Sequence, residues 1–503
     1  MNTNLTAAQQ DYAIYLPAIS SVYSSHIGRQ QKAAYVDQTR MPQGIPDMEM
    51  LNFFNPSKGL FEYRWGLYSA GHANLDLDKD VPSEYMIRNR GKHTLLLADS
   101  GGYQIASGVW EADWKNMDAR AQKYRATVFK WLSQISDYSM VLDIPTWLVN
   151  NPDSVKKTNI HTVEDAIAAT CANHEYFMEN SFTDTKFLNV LQGNNHESSD
   201  TWYEVMKHYN DPRKHDKFFR GWSLAGANAA DPHLALKRIV TIIHDGLLEE
   251  GKHDWMHFLG NSKLEWAVLL TDIQRAVRKY HNPRFTISFD SAGPFLAASK
   301  GQNYTHYNIE HRGRWSHKNG PATDNKAYAT DTRRYRDVIL QDGINSVFYD
   351  SPVSDRLTAK DICVYAPGDL NKLGKEGKTS WDTFSYILLM GHNIWHYINA
   401  IQEANRAFDA GKIPGNLLNI HDYTSSRDIV NRVFAEPDYD NRLAILDEYS
   451  DFWTNIPGSR GLGGKKAVNA DAFFNKHFST VSPSVDVDDD IGEIEIENLE
   501  EIL

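Results

Sequence analysis

Cysteine is almost missing from this chain: 503 residues contain two, Cys171 and Cys363. That scarcity excludes a disulfide framework and an all-cysteine structural zinc site, and it suits a reducing compartment. Long apolar runs are missing too, since no stretch approaches the roughly 20 residues that a membrane helix requires. The first residues show neither a basic region nor an apolar core of a leader, so the expected location is the cytoplasm, with no membrane partner. Net positive charge is also lacking. The formal net charge is −13, which ordinarily argues against a nucleic-acid partner. Its distribution weakens the objection, because the last eighteen residues hold four Asp and five Glu without Lys or Arg, leaving −4 for the rest. A tail of this composition, over 483–503, is expected to be solvated and disordered.

What the chain does have, from residue 95 onward, is apolar runs alternating with helical spacing. The runs at 95–98, 139–142, 187–191, 219–224, 255–259 and 285–289 read as strands. Between them, 119–136, 162–179, 232–247 and 263–280 carry apolar residues on one helical face. Thr162 with Asp165, and Asp231 before Pro232, supply helix-start signals. Strand followed by helix, repeated with short connections, implies a parallel sheet. Six such units in one run favour closure, so the expected fold is α/β, a (β/α)8 barrel with insertions and a C-terminal extension. Residues 1–90 lack a clear period and are expected to be an entry region packed on a barrel spanning 91–411. Residues 412–482 form the extension, with a helix expected around 426–453.

The residues that close each run carry the chemistry. Asp99 follows the first, within Asp99-Ser100-Gly101-Gly102-Tyr103-Gln104; Asp143 follows the second; Gln192-Gly193 follow the third. Gly226 lies beyond the fourth, Leu259-Gly260 close the fifth and Asp290 the sixth. In a barrel all those ends open on one face, where active sites sit. Each alone also reads as a helix cap or a turn.

This set, in this order, resembles the tRNA-guanine transglycosylases, a family of (β/α)8 barrels that exchange guanine for a 7-deazaguanine in a polynucleotide. The resemblance runs from about residue 94 to 411. It implies that Asp290 is the nucleophile and Asp99 the general acid/base. It also implies that Asp143, Gln192, Gly193, Gly226 and Leu259 bind the base, on which Tyr103 stacks. Two departures matter. Family members follow the nucleophile with a Cys and a Pro-Thr-Arg segment that holds tRNA, whereas Asp290 is followed by Ser291-Ala292-Gly293-Pro294. The family's zinc positions fall here on Asp361, Cys363, Ala366 and His392, so one Cys and the His remain and zinc is not expected. Both departures point toward the virus-encoded relatives that install 7-deazaguanines in DNA. The expected partners are therefore DNA, single-stranded or locally opened, and a free 7-deazaguanine base, in the cytoplasm of a host cell. The tRNA enzyme and a non-catalytic partner subunit of the same fold are the alternatives, and retention of Asp99, Asp143 and Asp290 argues against the latter.

Residues 291–345 read as an insertion. Between Lys300 and Arg336 eight cations outnumber three acids, interleaved with Tyr304, Tyr307, Trp315, Tyr328 and Tyr335. Arg312, Arg314, Lys318, Arg333 and Arg334 are the expected phosphate contacts, with the rings available to stack a base. The Gly-rich loop at 458–466 lacks the register of a nucleotide-binding loop.

Overall fold

The computed structural model describes residues 11–181, 184–365, 380–456 and 458. The loop at 459–466 and the acidic tail lie outside them. Eight parallel strands run β1 (Ile14–Pro17), β2 (Trp65–Ser69), β3 (Leu95–Asp99), β4 (Tyr138–Met140), β5 (Lys186–Leu191), β6 (Gly221–Leu224), β7 (Trp255–Phe258) and β8 (Thr286–Ser291). Their order in the sheet is β1-β8-β7-β6-β5-β4-β3-β2. Ala18 closes the ring: it bridges Leu67 of β2, while its N–H donates to the Ser291 carbonyl at the end of β8 (3.2 Å). The fold is a (β/α)8 barrel.

All six expected strands are present, within a few residues of their expected bounds. The helices Ala119–Ile135, Val163–Asn180, Pro232–His244 and Leu264–Tyr280 occupy the intervening segments. Asp231 caps its helix by accepting the N–H groups of His233 and Leu234. Thr162 accepts the Asp165 N–H, but the Asp165 carboxylate accepts from His161, so only half of that capping box forms. Packing supplies most of the cohesion. Trp131, Trp202, Trp222 and Trp266 are fully buried, each of the large apolar kind worth roughly 1.5–3 kcal/mol or more on burial.

The segment expected as an entry region supplies the first two strands, so the barrel begins at Ile14 and not near residue 91. Both strands are buried, β2 (Trp-Gly-Leu-Tyr-Ser) at all five positions and β1 (Ile-Tyr-Leu-Pro) at three of four, but the glycine in one and the proline in the other interrupt their short apolar runs and read as turn signals.

After β8 the chain forms a helix, Gly293–Ser299, then an antiparallel hairpin, β9 (Gln302–Asn308) and β10 (Ser316–Pro321). The long helix Thr383–Asp409, capped by Asp382, packs on both. The helix expected around 426–453 is three helices, Ser426–Ala435, Tyr439–Glu448 and Ser450–Asn455. Pro437 cannot continue the first, and Asp438 caps the second through the Asn441 N–H. The first packs against Leu264–Tyr280, where Arg427 pairs with the buried Asp272 at 2.8 Å. No helix among the described residues is long and apolar enough to cross a membrane.

Candidate active site

The parallel register delivers the expected acids to one end of the barrel. Asp99 is the last residue of β3 and stands beside Ser69 of β2, whose hydroxyl donates to its Oδ2 at 2.8 Å. Gly101 then turns the chain at a φ of +88°, a left-handed conformation that glycine adopts without penalty. Gly102 lets that turn press against the next strand end: a Cβ there would lie 3.0 Å from the Asp143 carbonyl and 3.1 Å from its Oδ1. The glycine pair thus brings the Asp99 loop onto Asp143.

Asp143 is buried, and the Gln192 amide donates to its Oδ2 at 2.7 Å. Gly193 accepts the Ala227 N–H at 2.8 Å, which draws the β6 end, with Gly226, against the β5 end. Leu259 is half-buried beside them, tied by its N–H to the Leu224 carbonyl (3.0 Å). Tyr103 rides on the short helix Gly102–Ala106, its ring 6.2 Å from that of Trp147 and inclined by 34°. Both rings are half-buried.

Asp290 lies near the end of β8 with its side chain 15% exposed. Its Oδ1 accepts the Gly260 N–H at 2.8 Å and faces His257 Nε2 at 3.2 Å. The three acids therefore occupy different environments. Burial pushes the Asp99 carboxyl up; the Ser69 hydroxyl opposes the rise and the charge of Asp290 adds to it. Burial likewise lifts Asp143 to about 7, against the Gln192 hydrogen bond and with the charge of Asp99 adding to the rise. Burial favours the neutral acid because a charge loses its water, and a neighbouring carboxylate favours it for Coulombic reasons. No family model matches the chain, and no curated protein matches it.

The arrangement has the parts of a double displacement: a carboxylate anchored by N–H donors, a half-buried carboxyl disposed to carry a proton, and an acid–amide pair that can read a hydrogen-bonding edge. Three contributors were not singled out from sequence. Ser69 comes from a strand without a readable period. His257 sits inside an apolar run and reads as core. Trp147 follows Asp143 by four residues, and only its place beyond a strand end hints at a role.

The remaining expected site residues go elsewhere. Arg333 pairs with Asp331 (2.6 Å) and Asp342 (2.9 Å), and Arg334 with Asp350 and Asp355. Tyr304, Trp315 and Tyr335 are buried and offer no face to an exposed base, a correction with a plain cause: they pack the hairpin and the helix Tyr335–Gln341 into the core. Lys318 is half-buried on β10. Arg314 is exposed, and so is Arg312, whose guanidinium lies 5.1 Å from the centre of the exposed Tyr423 ring.

The eroded zinc positions do not fit a zinc ion. The Cys363 thiol donates to the Asn325 carbonyl at 3.3 Å, and Asp361 caps its own helix through Thr358. His392 has both ring nitrogens engaged, with Ser351 Oγ (2.9 Å) and the Tyr304 carbonyl (2.8 Å), and burial lowers its pKa to about 4. Ala366 lies outside the described residues. Among the described residues no group of three or more His, Cys, Asp or Glu could hold a metal.

Proposed function

We propose that this chain is a base-exchange transglycosylase, a pentosyltransferase that replaces guanine in DNA with a 7-deazaguanine through a covalent Asp290–sugar intermediate. The observation that carries the reading is the contrast at one barrel mouth between Asp290, anchored through Oδ1 by a backbone N–H, and Asp99, a half-buried carboxyl pushed toward its neutral form.

In the first half-reaction a lone pair of Asp290 forms a bond to C1′. The C1′–N9 pair leaves with guanine, which takes the Asp99 proton. In the second, the incoming base forms its N–C1′ bond, returns its proton to Asp99 and releases the Asp290 carboxylate. One pocket then serves both bases in turn, the logic of retaining glycosidases. Asp143 would accept from the N1–H and exocyclic amine that guanine and its 7-deaza analogues share, while the second N–H of Gln192 and the backbone near Gly226 face O6. Tyr103 offers a ring to the base plane.

A base must leave the stack to enter such a pocket, at a cost of a few kcal/mol in a duplex and less in a single strand. DNA is preferred over tRNA because Asp290 leads into Ser291-Ala292-Gly293-Pro294, a strand end and a helix start, where the tRNA-acting family has Pro-Thr-Arg.

The test supplies purified protein with radiolabelled guanine and either single-stranded DNA, duplex DNA or tRNA. Retention of label in DNA, strongest for the single strand, is expected. Label in tRNA alone would overturn the choice of polymer, and label in neither would overturn the activity.

A further inference from the structure

We infer that His257 is a positioning residue that, with the Gly260 N–H, holds Asp290 by one oxygen so that the other, Oδ2, makes the bond to the sugar. This rests on the reading of Asp290 as nucleophile. Both donors converge on Oδ1, at 2.8 Å from the Gly260 nitrogen and 3.2 Å from His257 Nε2. A carboxylate held through one oxygen presents the second.

The histidine is itself fixed. His257 Nδ1 lies 2.9 Å from Ser288 Oγ, and the Trp255 indole N–H donates to the same oxygen at 2.8 Å. Indole nitrogen is only a donor and an ionised carboxylate only an acceptor, so a neutral imidazole satisfies the chain in one way. Trp255 donates to Ser288, the Ser288 hydroxyl donates to Nδ1, and Nε2–H donates to Asp290. His257 and Ser288 are both fully buried. They are register partners on β7 and β8, and Trp255 and Asp290 stand two residues from them on the same strands, hence on the same face. The sheet itself therefore sets the relay.

This gives both half-reactions a defined geometry. As the C1′–Oδ2 bond forms, Oδ1 becomes the ester carbonyl and keeps its two donors. As that bond breaks, its electron pair returns to a carboxylate whose charge the same donors already face. Such preorganised donors matter most where charge develops.

The test compares wild type, H257F and H257Q in the full chain by steady-state guanine exchange into single-stranded DNA, alongside a nitrogen-15 histidine NMR spectrum. H257F should lower kcat about 10²-fold, the usual cost of one preorganised donor, while KM for the incoming base holds. H257Q, which restores an N–H donor, should recover most of the loss. In wild type the His257 signal should report an Nε2–H tautomer that shifts in D290N. Equal kcat in H257F and wild type would overturn the inference and leave the exchange reading intact, as would equal losses in both variants. No exchange by wild type would overturn both. Should H257F not fold, S288A removes only the hydroxyl that fixes the tautomer; a normal kcat there with an unchanged Nε2–H signal would count against the relay.

Discussion

The barrel mouth and the segment after β8 hold the two densest sets of polar side chains expected to meet a substrate, and they are built in opposite ways. At the mouth, the partners of Asp99, Asp143 and Asp290 among the described residues include a hydroxyl, an amide, a backbone N–H and an imidazole, and no ion pair to a Lys or Arg is formed there. Beyond β8, Arg333, Arg334 and Arg336 each face carboxylates, and the interleaved rings Tyr304, Trp315 and Tyr335 are core. The difference teaches that position at a strand end commits a side chain to the barrel mouth. A count of charges along a loop does not say whether they face outward or each other.

The sharpest way to break the comparison is Asp290→Asn. If the mouth is catalytic, exchange should fall by roughly 10⁴- to 10⁶-fold, the scale on which nucleophile removal acts, and no covalent adduct should be trapped on denaturing gels. An adduct that persisted would remove Asp290 from the mechanism.

Asp143→Asn tests whether the mouth is strained by its own acids. The folded-state pKa of Asp143 is raised to about 7 from 3.8, so between those values the folded chain binds the proton more tightly than the unfolded chain. Stability contributed by the neutral acid is then full below pH 4, falls as pH rises through that window and levels off above 7. The Asn variant should remove this slope and be more stable than wild type at pH 8, by on the order of 4 kcal/mol, while binding guanine less well. Urea denaturation at pH 5 and pH 8 reads the sign: a variant less stable than wild type at pH 8 would mean that Asp143 is held by partners that outweigh its burial.

The smallest effect is expected from the double variant Arg333→Ala and Arg334→Ala. Exposed ion pairs are worth about 0–1 kcal/mol, and cations already paired release few counterions. The slope of log binding constant against log salt for single-stranded DNA should change by less than about one unit. A change near two would mean that both arginines leave their acids for phosphates, and would make the two regions partners.

Six of the eight strands, the helices between them and the order of the strand-end residues were legible because continuous apolar runs alternate with period-3.6 segments from residue 95 on. Strands β1 and β2 were not, since a proline ends the first and a glycine interrupts the second, and both residues read as turn signals. The break of the 426–453 helix was visible in Pro437 yet outweighed by the surrounding periodicity. At the site, Asp99, Asp143, Gln192 and Asp290 were readable by their place after apolar runs. Ser69 and His257 were not, because what makes them partners is a neighbour on another strand.

The sequence by itself determined the parallel α/β architecture, the residues available at the strand ends and the scarcity of cysteine, all of which depend on local pattern and composition. Only the tertiary structure decided where the barrel starts, which oxygen of Asp290 is held, and that Arg333, Arg334 and Arg336 face acids. Those depend on which strands become neighbours and in what register, and hydrogen bonds and burial act across that distance, not along the chain.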